Sequence, residues 1–141
     1  MTQSIVIACD HGGYDLKEAI KAKFSDYQWL DLGTDSSESV DYPDYAQKLC
    51  DAIKDGQAER GILICGTGIG ISIAANRHKH VRAALCTDVT TARLTRLHND
   101  ANVLALGARI TGVECAFDIV DVFLSTEFEG GRHDRRVKKL S

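Results

Sequence analysis

The chain has 141 residues, 44% hydrophobic and 26% charged, with seventeen Lys+Arg against twenty Asp+Glu for a net charge of −3. That is one domain's worth, residues 1–141, large enough to bury an ordinary core and too apolar to be a disordered or fibrous chain. No basic field points to nucleic acid, no apolar run approaches the ~20 residues of a membrane span, and no basic-then-apolar leader opens the chain, so a cytoplasmic protein that binds neither nucleic acid nor membrane is expected.

The elements alternate along the chain. Ser4–Cys9 is an apolar, β-branched run that predicts a first strand, and Cys9-Asp10-His11-Gly12-Gly13 leaves it as a tight turn carrying a carboxylate and an imidazole. Leu16, Ala19, Ile20 and Phe24 then share one helical face. Gln28–Leu32 predicts a second strand, followed by the polar, turn-rich loop Gly33–Tyr42. Pro43 sits in the first turn of a helix whose apolar stripe is Tyr45, Ala46, Leu49, Ala52 and Ile53.

Gly61–Cys65 is the third predicted strand, running into Gly66-Thr67-Gly68-Ile69-Gly70 and a short helix with Ile69, Ile73 and Ala74. Val81–Cys86 predicts a fourth strand, and Thr87 or Asp88 caps a helix through Leu97. His98 and Asn99 follow, just before a fifth strand, Asn102–Leu106, with Arg109 past its end. A helix over Val113–Leu124 precedes Gly130-Gly131-Arg132, a run with five cations in the eight residues from Arg132, and a last helix is expected from about Asp134. Strands apolar throughout, alternating with helices, predict an α/β, three-layer α/β/α sandwich around a five-stranded parallel sheet, with ligands at the carboxyl ends of the strands.

The five cysteines are odd in number, widely spaced and without a C-x-x-C pair, so neither a disulfide framework nor a cysteine zinc site is expected. Cys65 differs from the rest. It opens a glycine-rich turn into a helix, where backbone N–H groups surround an anion and favour a thiolate. The turn is neither a Walker loop nor a dinucleotide fingerprint, and six residues after Cys65 stands Ile71 rather than the arginine of a cysteine phosphatase. No HExxH helix or carboxylate cluster calls for a metal, and no cofactor is implied. Arg132 and Arg136 lie one helical turn apart, suited to a phosphate. A thiolate beside an oxyanion pocket is chemically suited to act as a base on a C–H next to a carbonyl.

The segments Cys9 to Gly13, Asp41-Tyr42-Pro43, Gly61 to Asn76, Arg96 to Leu104 and Glu129 to His133 together resemble the type B ribose-5-phosphate isomerases, the family that also holds the galactose-6-phosphate isomerase subunits. The resemblance spans nearly the whole chain. It implies a Rossmann-like fold and a metal-free aldose–ketose isomerase, interconverting ribose 5-phosphate and ribulose 5-phosphate in the pentose phosphate pathway. It also implies a homodimer, or a dimer of dimers, with active sites at the interface. By the resemblance, Cys65 is the proton-abstracting base, Thr67 and the amides of Gly66, Gly68, Ile69 and Gly70 hold the enediolate, and His98 opens the furanose ring. Asp10, His11, Asn99, Arg109, Arg132 and Arg136 match substrate contacts, the arginines on phosphate. Another sugar phosphate, such as allose or galactose 6-phosphate, or a phospho-ligand-binding module without turnover, are the alternatives.

Overall fold

The computed structural model describes residues 3–141. Five strands form one parallel sheet: β1 Ser4–Cys9, β2 Gln28–Asp31, β3 Arg60–Cys65, β4 Ala83–Leu85 and β5 Val103–Gly107, in the order β2-β1-β3-β5-β4. The helices are α1 Tyr14–Lys23 after one 3-10 turn at His11–Gly13, α2 Tyr42–Lys54, α3 Ile69–Ala75, α4 Val89–Asn99, α5 Val113–Ser125 and α6 Arg132–Lys138. Among the described residues no helix is long and apolar enough to cross a membrane.

The period-2 alternation of each inner strand serves both faces. Ile5, Ile7 and Cys9, with Ile62, Ile64, Leu104 and Leu106, pack against α1, α4 and α5 through Leu16, Ile20, Ala92, Ile119 and Phe123. Val6, Ala8, Leu63, Cys65, Val103 and Ala105 face the other way, onto Ala46, Leu49, Ile71 and Ala75 of α2 and α3. This is the expected α/β/α sandwich, and it explains why the strands read as unbroken apolar runs. The chain leaves β1 toward the α1 face but leaves β3 toward the α3 face, so a crevice opens between their carboxyl ends.

Most element bounds lie within a residue of the sequence expectation; α4 runs two residues past Leu97, to Asn99, and two other elements differ. β4 is shorter than Val81–Cys86 at its amino end because the Val81 N–H closes a turn onto the His78 carbonyl and the Arg82 N–H is taken by Asn102 Oδ1; at the other end the Cys86 N–H still bonds the Ala105 carbonyl at 3.2 Å. The last helix begins at Arg132, two residues before Asp134. Gly130 and Gly131 adopt φ of +72° and +59°, and the N–H groups of His133 and Asp134 close onto their carbonyls at 3.2 Å each.

A polar contact is built into the α1–β2 edge. Lys17, 1% exposed, donates to both oxygens of Asp31 at 2.8 and 2.6 Å, while Lys21 donates to the same carboxylate at 2.7 Å. Burial alone would raise the Asp31 carboxyl; the lysines and the Gly33 N–H outweigh it and hold the carboxyl below its ordinary range. The stability this contributes is therefore present above the ordinary aspartate range and is lost as pH falls through the lowered value. Asp31→Ala leaves Lys17, among the described residues, with the exposed Glu18 at 3.4 Å as its one carboxylate partner. The expected loss is about 3 kcal/mol, with a melting temperature lower by about 10 °C in thermal denaturation followed by circular dichroism.

Candidate active site

The carboxyl ends of β1, β3 and β5 meet in one set of interlocked loops. Asp10 Oδ1 accepts the Gly12 N–H at 2.9 Å, and the Asp10 N–H bonds the Ile64 carbonyl at 3.2 Å, so the first loop is stitched to β3. After β3 the chain turns at Gly68, whose φ of +78° favours glycine. A Cβ there would stand 2.5 Å from Leu85 Cδ1, and one on Gly107 would stand 2.4 Å from the Thr67 carbonyl oxygen. The β5 end therefore seats the glycine-rich turn by direct backbone contact. The Arg109 N–H bonds the Gly66 carbonyl at 2.9 Å, and a Cβ on Gly66 would meet the Arg109 side chain at 3.5 Å.

Within this turn the Cys65 sulfur accepts the Gly68 N–H at 3.1 Å, and Thr67 Oγ1 accepts the Ile69 N–H at 3.2 Å. The predicted anion cradle is thus partly engaged: the Gly68 and Ile69 amides are turned onto side chains of the loop itself. Cys65 is 4% exposed. The other buried cysteines are different in kind. Burial pushes the Cys9 thiol up to about 11 and the Cys50 thiol up to about 12, and raises Cys86 as well.

Two residues of the Gly33–Tyr42 loop region reach this site without having been assigned a role from sequence. The Val40 N–H donates to His11 Nδ1 at 3.2 Å, which leaves the proton of a neutral His11 on Nε2. Tyr42 lies over α3, its ring so close that a Cβ on Gly70 would stand 2.6 Å from Cζ. The only signal in the sequence was the Asp41-Tyr42-Pro43 segment, which also reads as a plain helix start.

The remaining predicted residues lie elsewhere. His98 and Asn99 end α4, and with Arg132, His133 and Arg136 they line a cleft of about 340 Å³. Arg136 Nη1 donates to the Arg132 carbonyl at 3.0 Å, one turn away as expected. A larger groove of about 460 Å³, lined by Arg77, His78, Lys79 and Arg82, shares Asn99 with this cleft and includes no residue of the glycine-rich turn. In a parallel sheet each connecting helix carries the chain back to the amino ends of the strands. α4 does so, and the Asn102 carbonyl just beyond it accepts the Gly61 N–H at the start of β3. Cys65 and His98 of one chain are therefore separated by roughly the length of a strand, on the order of 15 Å.

Two further groups at the second cleft escaped the sequence reading. The ring of His133 stacks on that of His98 with centroids 4.3 Å apart and an interplanar angle of 19°. The carboxylate of Glu129 stands 3.9 Å from His98 Nε2. Burial, with His98 and Arg132 nearby, lowers the His133 imidazole from its ordinary value.

Comparison with known proteins gives consistent matches. The family model described as Ribose/Galactose Isomerase matches residues 5–140. Ribose-5-phosphate isomerase B of Escherichia coli (strain K12) is 47% identical over 141 residues, covering 99% of this chain and 95% of that protein. The D-erythrulose-4-phosphate isomerase of Pectobacterium atrosepticum is 43% identical over 144 residues, covering 97% and 92%. Among solved structures, ribose-5-phosphate isomerase B of Clostridium thermocellum superposes with a TM-score of 0.95 at 54% identity, covering 98% of this chain and 95% of that one. The Thermotoga maritima ribose 5-phosphate isomerase gives 0.96 at 52% identity, covering 99% and 98%.

The cysteine environments predict an order of reaction with iodoacetamide, read by peptide mass spectrometry. The exposed Cys115 reacts first and Cys65 more slowly, while Cys9, Cys50 and Cys86 stay unmodified until the protein is denatured.

Proposed function

Since this chain is an enzyme of the ribose/galactose isomerase family, matched over residues 5–140, we propose that it interconverts ribose 5-phosphate and ribulose 5-phosphate at a site shared by two copies of the chain. One copy supplies the loops at the carboxyl ends of β1, β3 and β5; the other supplies the cleft at the end of α4. The observation that carries the reading is the Cys65 sulfur set inside the glycine-rich turn, 3.1 Å from the Gly68 nitrogen.

In this mechanism His98 of one copy opens the furanose ring by moving a proton between the ring oxygen and the anomeric hydroxyl. The Cys65 thiolate of the other removes the proton on carbon 2. The developing oxyanion of the enediolate is held by Thr67 and by amides of Gly66 to Gly70 at the start of α3, of which those of Gly68 and Ile69 first leave the Cys65 sulfur and Thr67 Oγ1. The Gly68 N–H, released from sulfur as the thiolate takes up the proton, is then free to join them. As the hydroxyl proton of carbon 2 passes to the oxygen of carbon 1, Cys65 returns its proton to carbon 1, so the ketose forms with no electron leaving the substrate and no cofactor called on. Asp10, His11 and Asn99 contact sugar oxygens, His11 as an Nε2–H donor, and Arg109, Arg132 and Arg136 hold the phosphate.

Support for a second copy comes from the separation of the two clusters and from the surface of α3. Ile69 and Ile73 are each 53% exposed and one helical turn apart, beside the site. The resemblance to a D-erythrulose-4-phosphate isomerase favours a second reading, in which a four-carbon phosphate occupies the same pocket with the same proton transfer.

Following ketose formation from ribose 5-phosphate tests the activity. Cys65→Ala should keep its melting temperature while kcat falls at least ~10²-fold, the low end of what a positioned general base contributes. Full turnover by that folded variant removes the assignment. Arg136→Ala should raise KM for ribose 5-phosphate roughly tenfold to a hundredfold through loss of a charged hydrogen bond, and Arg135→Ala should leave it nearly unchanged. Equal losses in the two variants would mean a diffuse basic field rather than a paired clamp.

A further inference from the structure

We propose that His98, Glu129 and His133 form a binding site for a zinc-class divalent metal, and that metal bound there reversibly inhibits the enzyme by occupying His98; the inhibitory part rests on the ring-opening role given to His98 above. One ligating atom from each of the three lies within 4.8 Å of the other two. Two imidazoles and a carboxylate are a donor set that Zn²⁺ takes readily, whereas Mg²⁺ and Ca²⁺ prefer oxygen donors.

The backbone already brings the three together. His98 is in the last turn of α4, and the Glu129 N–H bonds the carbonyl of the neighbouring Leu97 at 3.1 Å. Gly130 and Gly131 then turn the chain so that His133, bonded through its N–H to the Gly130 carbonyl at 3.2 Å, stacks on His98. Independently of this clustering, His133 is 8% exposed and its Nε2 is buried with no hydrogen-bond partner among the described residues. A buried nitrogen left unpaired is costly, and a metal ion is one group that satisfies it. Glu129 Oε2 and His98 Nε2, 3.9 Å apart, are too distant for a hydrogen bond to hold them to each other.

Tetrahedral zinc with bonds of about 2.0–2.1 Å needs its ligand atoms about 3.3 Å apart, so the site must contract. The side chains of Glu129 and His98 are 48% and 36% exposed, which leaves room for movement. His98 must turn out of its stack on His133, because two stacked imidazoles cannot both point a lone pair at one ion. Arg132 and Arg136 line the same cleft and oppose a dication, which suits a reversible inhibitor better than a resident cofactor. Bound metal takes a lone pair that His98 needs for proton transfer.

The test begins with EDTA-treated protein, which should retain full turnover. Calorimetric titration with ZnCl₂ should show one saturable site in the wild type and the same site in Cys65→Ala, where the thiol cannot contribute. Glu129→Gln should weaken that binding tenfold or more, the scale on which even outer partners of a metal matter. In kinetics, Zn²⁺ should inhibit and EDTA restore, Mg²⁺ should do nothing, and Glu129→Gln, measured against its own metal-free turnover, should need at least tenfold more Zn²⁺ for inhibition. No saturable binding by Cys65→Ala, or equal affinity in Glu129→Gln and wild type, overturns the site. Full turnover at saturating Zn²⁺ overturns the inhibition. Glu129-dependent binding by a protein that does not turn over ribose 5-phosphate keeps the metal site and removes the functional reading instead.

Discussion

A parallel sheet has two chemically different ends, and this molecule is organised by that polarity. Every strand delivers its carboxyl end to the same edge, and each connecting helix must return the chain to the opposite one. The order β2-β1-β3-β5-β4 places β1, β3 and β5 side by side, so the three loops that carry Asp10, Cys65 and Arg109 are neighbours by construction. The same rule sends the end of α4, with His98 and Asn99, to the far edge. Two arginines fix that far edge. Arg60 donates to the carbonyls of Phe123 and Leu124, and Arg96 to those of Ala101 and Thr126, which ties the ends of α4 and α5 together beneath the sheet.

At the carboxyl edge, close backbone packing shapes the turn. Gly107 admits the Thr67 carbonyl where no side chain fits, and Gly68 folds the turn back so that its own N–H reaches the Cys65 sulfur. The sorting of cysteines follows from the same architecture. Cys9, Cys50 and Cys86 are buried in apolar layers whose desolvation raises the thiol, whereas Cys65 is buried beside a helix start that supplies an N–H to its sulfur.

Much of this follows from the residue pattern. Five apolar runs with helical stripes between them specify the layered sheet, because only strands covered on both faces stay apolar throughout. The glycine-rich turn after Cys65 announces itself by its spacing. What a linear pattern does not carry is the order of strands and the pairing of loops distant in sequence. Nothing at Val40 or Tyr42 marks them as neighbours of His11 and Gly70. Glu129 and His133 read as part of a solvated, basic tail, although Gly130 and Gly131 bend that tail onto the end of α4. β4 is overestimated because an edge strand has one partner only, and its amino end is taken by the turn at His78 and the side chain of Asn102. His98 stands next to a strand in sequence, yet at the end of that strand away from the crevice.

The central claim is that the thiol of one copy and the imidazole of another complete a single site. Mixing two inactive variants tests it most directly. Cys65→Ala and His98→Asn should each be nearly inactive alone. Unfolded together and refolded, they should form mixed dimers in which one of the two sites is intact, restoring about a quarter of wild-type activity. Activity that stays at the level of the separate variants, with mixed dimers shown to have formed, would contradict the shared site and require Cys65 and His98 to act within one chain.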